Sequence, residues 1–161
     1  MPLSGLALVS KRNKPLLVVP VGGPPATSPE EERDRAVELH LTVHASLDVV
    51  DEKAAAGPHA AGPYLGLLTL VGRHATFAFV GPTGVKAVAV VDAEAEPVPR
   101  DAEMRAVLAA LYQAYADWTC DPFVTGDGSE EDPVPTPESS GYVALARRLA
   151  RIAQMPVGGA A

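Results

Sequence analysis

A chain of 161 residues, 47% of them apolar, can bury one hydrophobic core without metal or disulfide staples, so a single domain spanning 1–161 is expected. Its formal charge of −7, with 20 Asp and Glu against 13 Lys and Arg, excludes the basic face that nucleic acid requires. One cysteine, Cys120, permits neither an internal disulfide nor a Cys-x-x-Cys metal pattern, which points to a reducing, cytoplasmic setting.

No apolar run approaches the roughly 18 to 20 residues of a spanning helix, so no transmembrane segment is expected. The longest runs, Leu16 to Val21 and Val85 to Val91, are of strand length. Lys11, Arg12 and Lys14 lie between two short apolar runs rather than ahead of one, the wrong order for a secretory leader.

The chain begins with Leu6 to Val9 and Leu16 to Val21, two aliphatic runs joined by Ser-Lys-Arg-Asn-Lys-Pro, which predicts a β-hairpin with Pro15 at a strand start. Residues 22–29 are too rich in Gly and Pro for regular structure and read as a flexible loop. Ser28, Pro29 and Glu30 to Glu32 then form a helix-start signature of N-cap, first-turn proline and acids at the positive end. From Glu38 to Lys53 the stripe Leu39, Val43, Leu47, Val50 predicts an amphipathic helix, stopped by Gly57-Pro58. The residues leave open whether it is continuous with the start at Ser28.

Three strand-length runs follow, Tyr64 to Val71, Ala75 to Val80 and Val85 to Val91, with connections short enough for an antiparallel meander. In the middle run Ala75, Phe77 and Phe79 alternate with Thr76, Ala78 and Val80, so both faces are mostly apolar and both need cover. Asp101 is placed to cap a second amphipathic helix, whose stripe is Met104, Val107, Leu108, Leu111, Tyr115 and Trp118, and Asp121-Pro122 ends it. Residues 126–140 are Gly, Ser, Pro and acid, read as a mobile surface loop. A last helix, Tyr142 to Ile152, carries Tyr142, Leu145, Leu149 and Ile152 on one side, and residues 156–161 form a tail.

The order β-β-α-β-β-β-α-α predicts an α/β three-layer sandwich, a five-stranded antiparallel sheet with one helix on one face and two on the other.

Little in this chain suggests catalysis. His44, Asp48 and Asp51 fall at i, i+4 and i+7 on one helical face, a spacing open to metal or acid–base work, but no second group of ligands accompanies them. Asp48, Asp51 and Lys53 can instead be read as a charged partner surface or as hydrogen-bonding a neighbouring loop, with a plainly solvated rim as the equal alternative. Cys120, between Asp117 and Asp121, lacks the basic surroundings of a reactive thiol and reads as idle. Gly81-Pro82-Thr83-Gly84 has no lysine and links strands, so it is a turn rather than a phosphate loop. Of the aromatics Tyr112, Tyr115, Trp118 and Phe123, the first three suit core packing and Phe123 suits an exposed anchor.

The blocks VHASLDVVDEK at 43–53, YLGLL at 64–68, KAVAVVD at 86–92, RDAEMR at 100–105 and YADWTCDPF at 115–123 resemble the sedlin-like small subunits of the TRAPP vesicle-tethering complex. The likeness covers about Leu6 to Phe123 and extends to the last helix, and SLDVVDEK, YLGLL and the Cys120–Phe123 ending place it nearer a paralogue than sedlin itself. The segments 22–29 and 126–140 look longer than the family's versions.

The resemblance implies the longin, or profilin-like, fold and a non-catalytic adaptor needing no cofactor. It further implies peripheral association with ER and Golgi membranes, in a complex that tethers vesicles and activates a Rab GTPase. The chain would bridge a small core subunit to a large accessory subunit, touching the Rab only through the assembled complex. The alternatives are sedlin itself and a free-standing longin module that binds a SNARE helix.

Overall fold

The computed structural model describes residues 3–22, 25–56, 63–95, 99–124 and 132–157. Its elements follow the expected order: β1 (Leu3–Val9), β2 (Pro15–Pro20), α1 (Pro29–Ala55), β3 (Tyr64–Val71), β4 (His74–Val80), β5 (Lys86–Asp92), α2 (Asp101–Thr119) and α3 (Tyr142–Ala153). The strands form one antiparallel sheet in the order β2-β1-β5-β4-β3, so the first hairpin joins the end of the meander through β1 and β5.

Alternation along the strands divides the core. Leu6 and Leu8 of β1, Phe77 of β4, and Ala87 and Ala89 of β5 point to one face, where Met104, Val107, Leu108 and Leu111 of α2 cover them. Leu145, Leu149 and Ile152 of α3 close the same cluster. On the other face Ala7, Val9, Ala78, Val88 and Val90 meet Leu39, Val43, Leu47 and Val50 of α1, the whole expected stripe. Both faces of the central strands are thus covered, the three-layer sandwich that the order predicts and the longin-like arrangement that the resemblance implies.

The helix start at Ser28 and the stripe from 38 belong to one unbroken helix. Ser28 Oγ accepts the Glu31 N–H at 3.2 Å, and the Glu31 carboxylate reaches back to the Thr27 N–H at 2.8 Å and hydroxyl at 2.6 Å, satisfying the helix mouth. Gly5 lets this helix lie close, since a Cβ there would come within 2.4 Å of Leu39 Cδ1.

Asp101 does not cap α2. Arg100 holds the cap position, its N–H donating to the Glu103 carboxylate at 3.1 Å, while Asp101 accepts the Tyr64 hydroxyl at 3.0 Å. The carboxylate is drawn to the hydroxyl of a buried tyrosine on β3, a partner that only the packed sheet supplies.

The Gly57-Pro58 stop and residues 126–131 lie outside the described residues. Residues 132–140 run back along α2, where the Tyr115 hydroxyl donates to the Pro133 carbonyl at 2.7 Å and Trp118 Nε1 to the Ser140 carbonyl at 2.8 Å.

Candidate protein-docking surface

The C-terminal half of α1 brings two of its three candidate residues into contact with other elements. Lys86, at the head of β5, is buried except for 6% of its side chain, and its Nζ lies 2.5 Å from Asp51 Oδ1 and in close contact with Asn13 Oδ1. Asn13 Nδ2 donates in turn to Asp51 Oδ2 at 2.8 Å. Hydrogen bonds from Lys86 and then Asn13 hold the Asp51 carboxyl below its usual range, against a weaker opposing effect of burial.

This clamp explains the shape of the β1–β2 turn. Asn13 takes the left-handed conformation, φ 63°, and donates its backbone N–H to the Ser10 carbonyl at 3.0 Å. The buried Ser10 hydroxyl accepts the Lys14 N–H at 3.1 Å. Asn13 and Lys86 were not singled out from the sequence. The available signal was Lys86 itself, one cation opening the otherwise apolar strand KAVAVVD.

Lys53 also turns onto the fold, its Nζ donating to the Leu67 carbonyl of β3 at 2.7 Å. Asp48 and His44 are exposed, and no group of three His, Cys, Asp or Glu among the described residues is placed to hold a metal ion. His74 on β4 pairs instead with Glu38, Nε2 to Oε1 2.9 Å.

The two edges of the sheet differ. β2 is bracketed by Pro15 and Pro20, which guard an edge against further pairing. β3 carries neither proline nor charge and leaves Leu67, Leu70 and Val71 exposed. Phe123, beyond α2, is 76% exposed, with its N–H held by Asp121 Oδ1 at 2.9 Å. Tyr115 and Trp118 are buried, and Tyr112 lies half-buried against Phe79 with ring centroids 5.6 Å apart. Cys120 is a free, exposed thiol.

The family model described as Sedlin matches residues 8–139. The chain belongs to the sedlin family. Its similarity extends to proteins named trafficking protein particle complex subunit 2-like protein. The one from Xenopus tropicalis is 35% identical over 122 residues, 73% of this chain and 80% of the relative. Those from Taeniopygia guttata and Rattus norvegicus are 36% and 34% identical over the same shares. The sedlin match runs from the end of β1 through α2 and so takes in most of the layered body. No helix among the described residues is long and apolar enough to cross a membrane.

Proposed function

We propose that the chain is a non-catalytic adaptor subunit of a TRAPP complex, cytoplasmic and held peripherally at ER and Golgi membranes through its neighbours. The observation that carries this reading is the sedlin match over residues 8–139, joined to relatives named as subunits of that particle. In this role the chain links a small core subunit to a large accessory subunit. The assembled complex, rather than this chain, engages the Rab GTPase. No cofactor is needed for such work.

The surfaces offered are the C-terminal half of α1 and the exposed aromatic beyond α2. Asp48 and Phe123 supply contact groups, while Asp51 and Lys53 fix the end of α1 that presents Asp48. Desolvating an exposed phenyl ring is a common source of binding energy at protein interfaces.

Affinity purification of the tagged full chain from cytosol of its source cells tests the proposal. Stoichiometric recovery of TRAPP subunits supports it. Recovery of the chain alone, or of a SNARE protein alone, overturns it.

A further inference from the structure

The acidic chain concentrates three of its 13 cationic residues, Lys11, Arg12 and Lys14, in the one turn that the buried clamp holds rigid. All three are exposed. Beside them lies a pocket of about 300 Å³ whose apolar lining is Pro15, Leu16 and Val134. A basic rim over an apolar floor is complementary to an acidic peptide bearing an aliphatic side chain.

The fold already seats one acidic side chain at the backbone of this turn. Asp132 places Oδ2 3.3 Å from the Lys11 backbone N–H, and Val134, two residues on, lines the pocket. Between them the Pro133 carbonyl is anchored by the Tyr115 hydroxyl, so the short acidic and apolar segment is held at the turn from behind. An incoming carboxylate meets a turn whose backbone is fixed by Ser10 and Asn13, which lowers the ordering cost of association.

We propose that the turn carrying Lys11, Arg12 and Lys14, with its adjoining pocket, is a docking site for an acidic, valine- or leucine-bearing peptide segment of a partner protein. Assigning that partner to the complex rests on the adaptor reading, whereas the chemistry of the site does not. The pocket favours a peptide over a membrane surface, because a flat layer of headgroups would leave the concave floor of Pro15 and Leu16 unfilled.

The probe is the synthetic hexapeptide Glu-Glu-Asp-Pro-Val-Pro, titrated into the isotopically labelled full chain while backbone amide shifts are followed. Saturable shifts at Ser10 to Leu16 and at Asp132 to Val134 are expected. Affinity should fall at least about tenfold in the Lys11→Glu/Arg12→Glu/Lys14→Glu variant, and again in 0.5 M salt, since exposed charge attraction is screened. Asp132→Ala, which removes the carboxylate already at the turn, should tighten binding several-fold.

Absence of shifts overturns the proposal, as does equal binding to the charge-reversed chain when thermal melting shows that chain folded. So does turn-dependent binding to phosphatidylserine vesicles without peptide binding, which marks the turn as a membrane contact. Because the peptide assay uses the purified chain, its failure is distinct from a failure to recover TRAPP subunits.

Discussion

Lys86 and Asp51 meet where the sheet abuts α1, Nζ 2.5 Å from Oδ1, with the ammonium almost fully buried and the carboxylate 47% exposed. The two partners are therefore unequal. Removing the carboxylate strands a buried cation with, among the described residues, only the Asn13 side-chain oxygen as a partner, whereas removing the lysine leaves an acid that water can solvate. Asp51→Ala should cost about 2 kcal/mol, the low side for a broken buried pair because Asp51 is half in water. Lys86→Met should cost less than about 1 kcal/mol, and the double variant should recover most of the Asp51→Ala loss. Urea unfolding checks this, and an Asp51→Ala chain as stable as the parent refutes it.

The same contact sets part of the acid response. Lys86 and Asn13 hold the native Asp51 carboxyl below its ordinary 3.8, so as pH falls the unfolded chain takes up the proton first. The stabilisation is complete above the unfolded value and is lost as pH falls through the lower native one. Arg73 beside Asp92 and Arg148 beside Asp117 depress those two carboxyls in the same direction. Stability should therefore decline below about pH 4, and Asp51→Asn, which has no such proton to bind, should decline less steeply. Urea midpoints measured from pH 2 to 6 decide it, and parallel curves would rule out a contribution from Asp51.

How much of this was legible beforehand depended on the range of each interaction. The stripe Leu39, Val43, Leu47, Val50 and the alternation through Phe77 and Phe79 are local patterns, and they point to a sandwich with both sheet faces covered, while which face each helix takes is set by the packed sheet. Asp101 was misplaced as a cap because its partner, Tyr64, lies 37 residues earlier and approaches only after β3 joins the sheet. Lys86 and Asn13 are 73 residues apart, so no spacing rule links them. Asp51 was recognised as a residue able to bond a neighbouring loop, but which loop, and through which buried cation, required the register of β1 on β5. Exposure of Phe123 followed from its position after Asp121-Pro122, beyond the last apolar turn of α2.

Gly81 provides a packing test on the opposite face. A Cβ at this position would come 2.0 Å from Tyr112 Cε2 and 2.2 Å from Cζ, so the ring must move for any side chain to fit. That ring also contacts Phe79 and shares a 3.1 Å hydrogen bond with the Thr83 hydroxyl, which ties it to the β4–β5 turn. Gly81→Ala should cost about 1–3 kcal/mol by overpacking. In a Tyr112→Ala background the same substitution should be nearly neutral, since the obstructing ring is gone. Equal costs in the two backgrounds, measured by thermal or urea unfolding, would exclude the clash as the cause.

Contact residues and supporting residues should separate in a paired measurement of stability and partner capture. Asp48 and Phe123 project from the surface, so Asp48→Arg and Phe123→Ala should each change unfolding free energy by less than about 0.5 kcal/mol. Each should nevertheless reduce recovery of partner subunits from cytosol, Phe123→Ala by about tenfold or more if the ring is a buried anchor in the assembly. Asp51→Ala should lower stability and capture together, because it loosens the helix end on which Asp48 stands. Capture by Lys53→Met tests the β3 side of that support: the variant loses the bond to the Leu67 carbonyl but keeps an aliphatic stem over the edge strand. If Asp48→Arg and Phe123→Ala both retain full capture, the docking surface lies elsewhere, and the unguarded β3 edge around Leu70 becomes the next face to substitute.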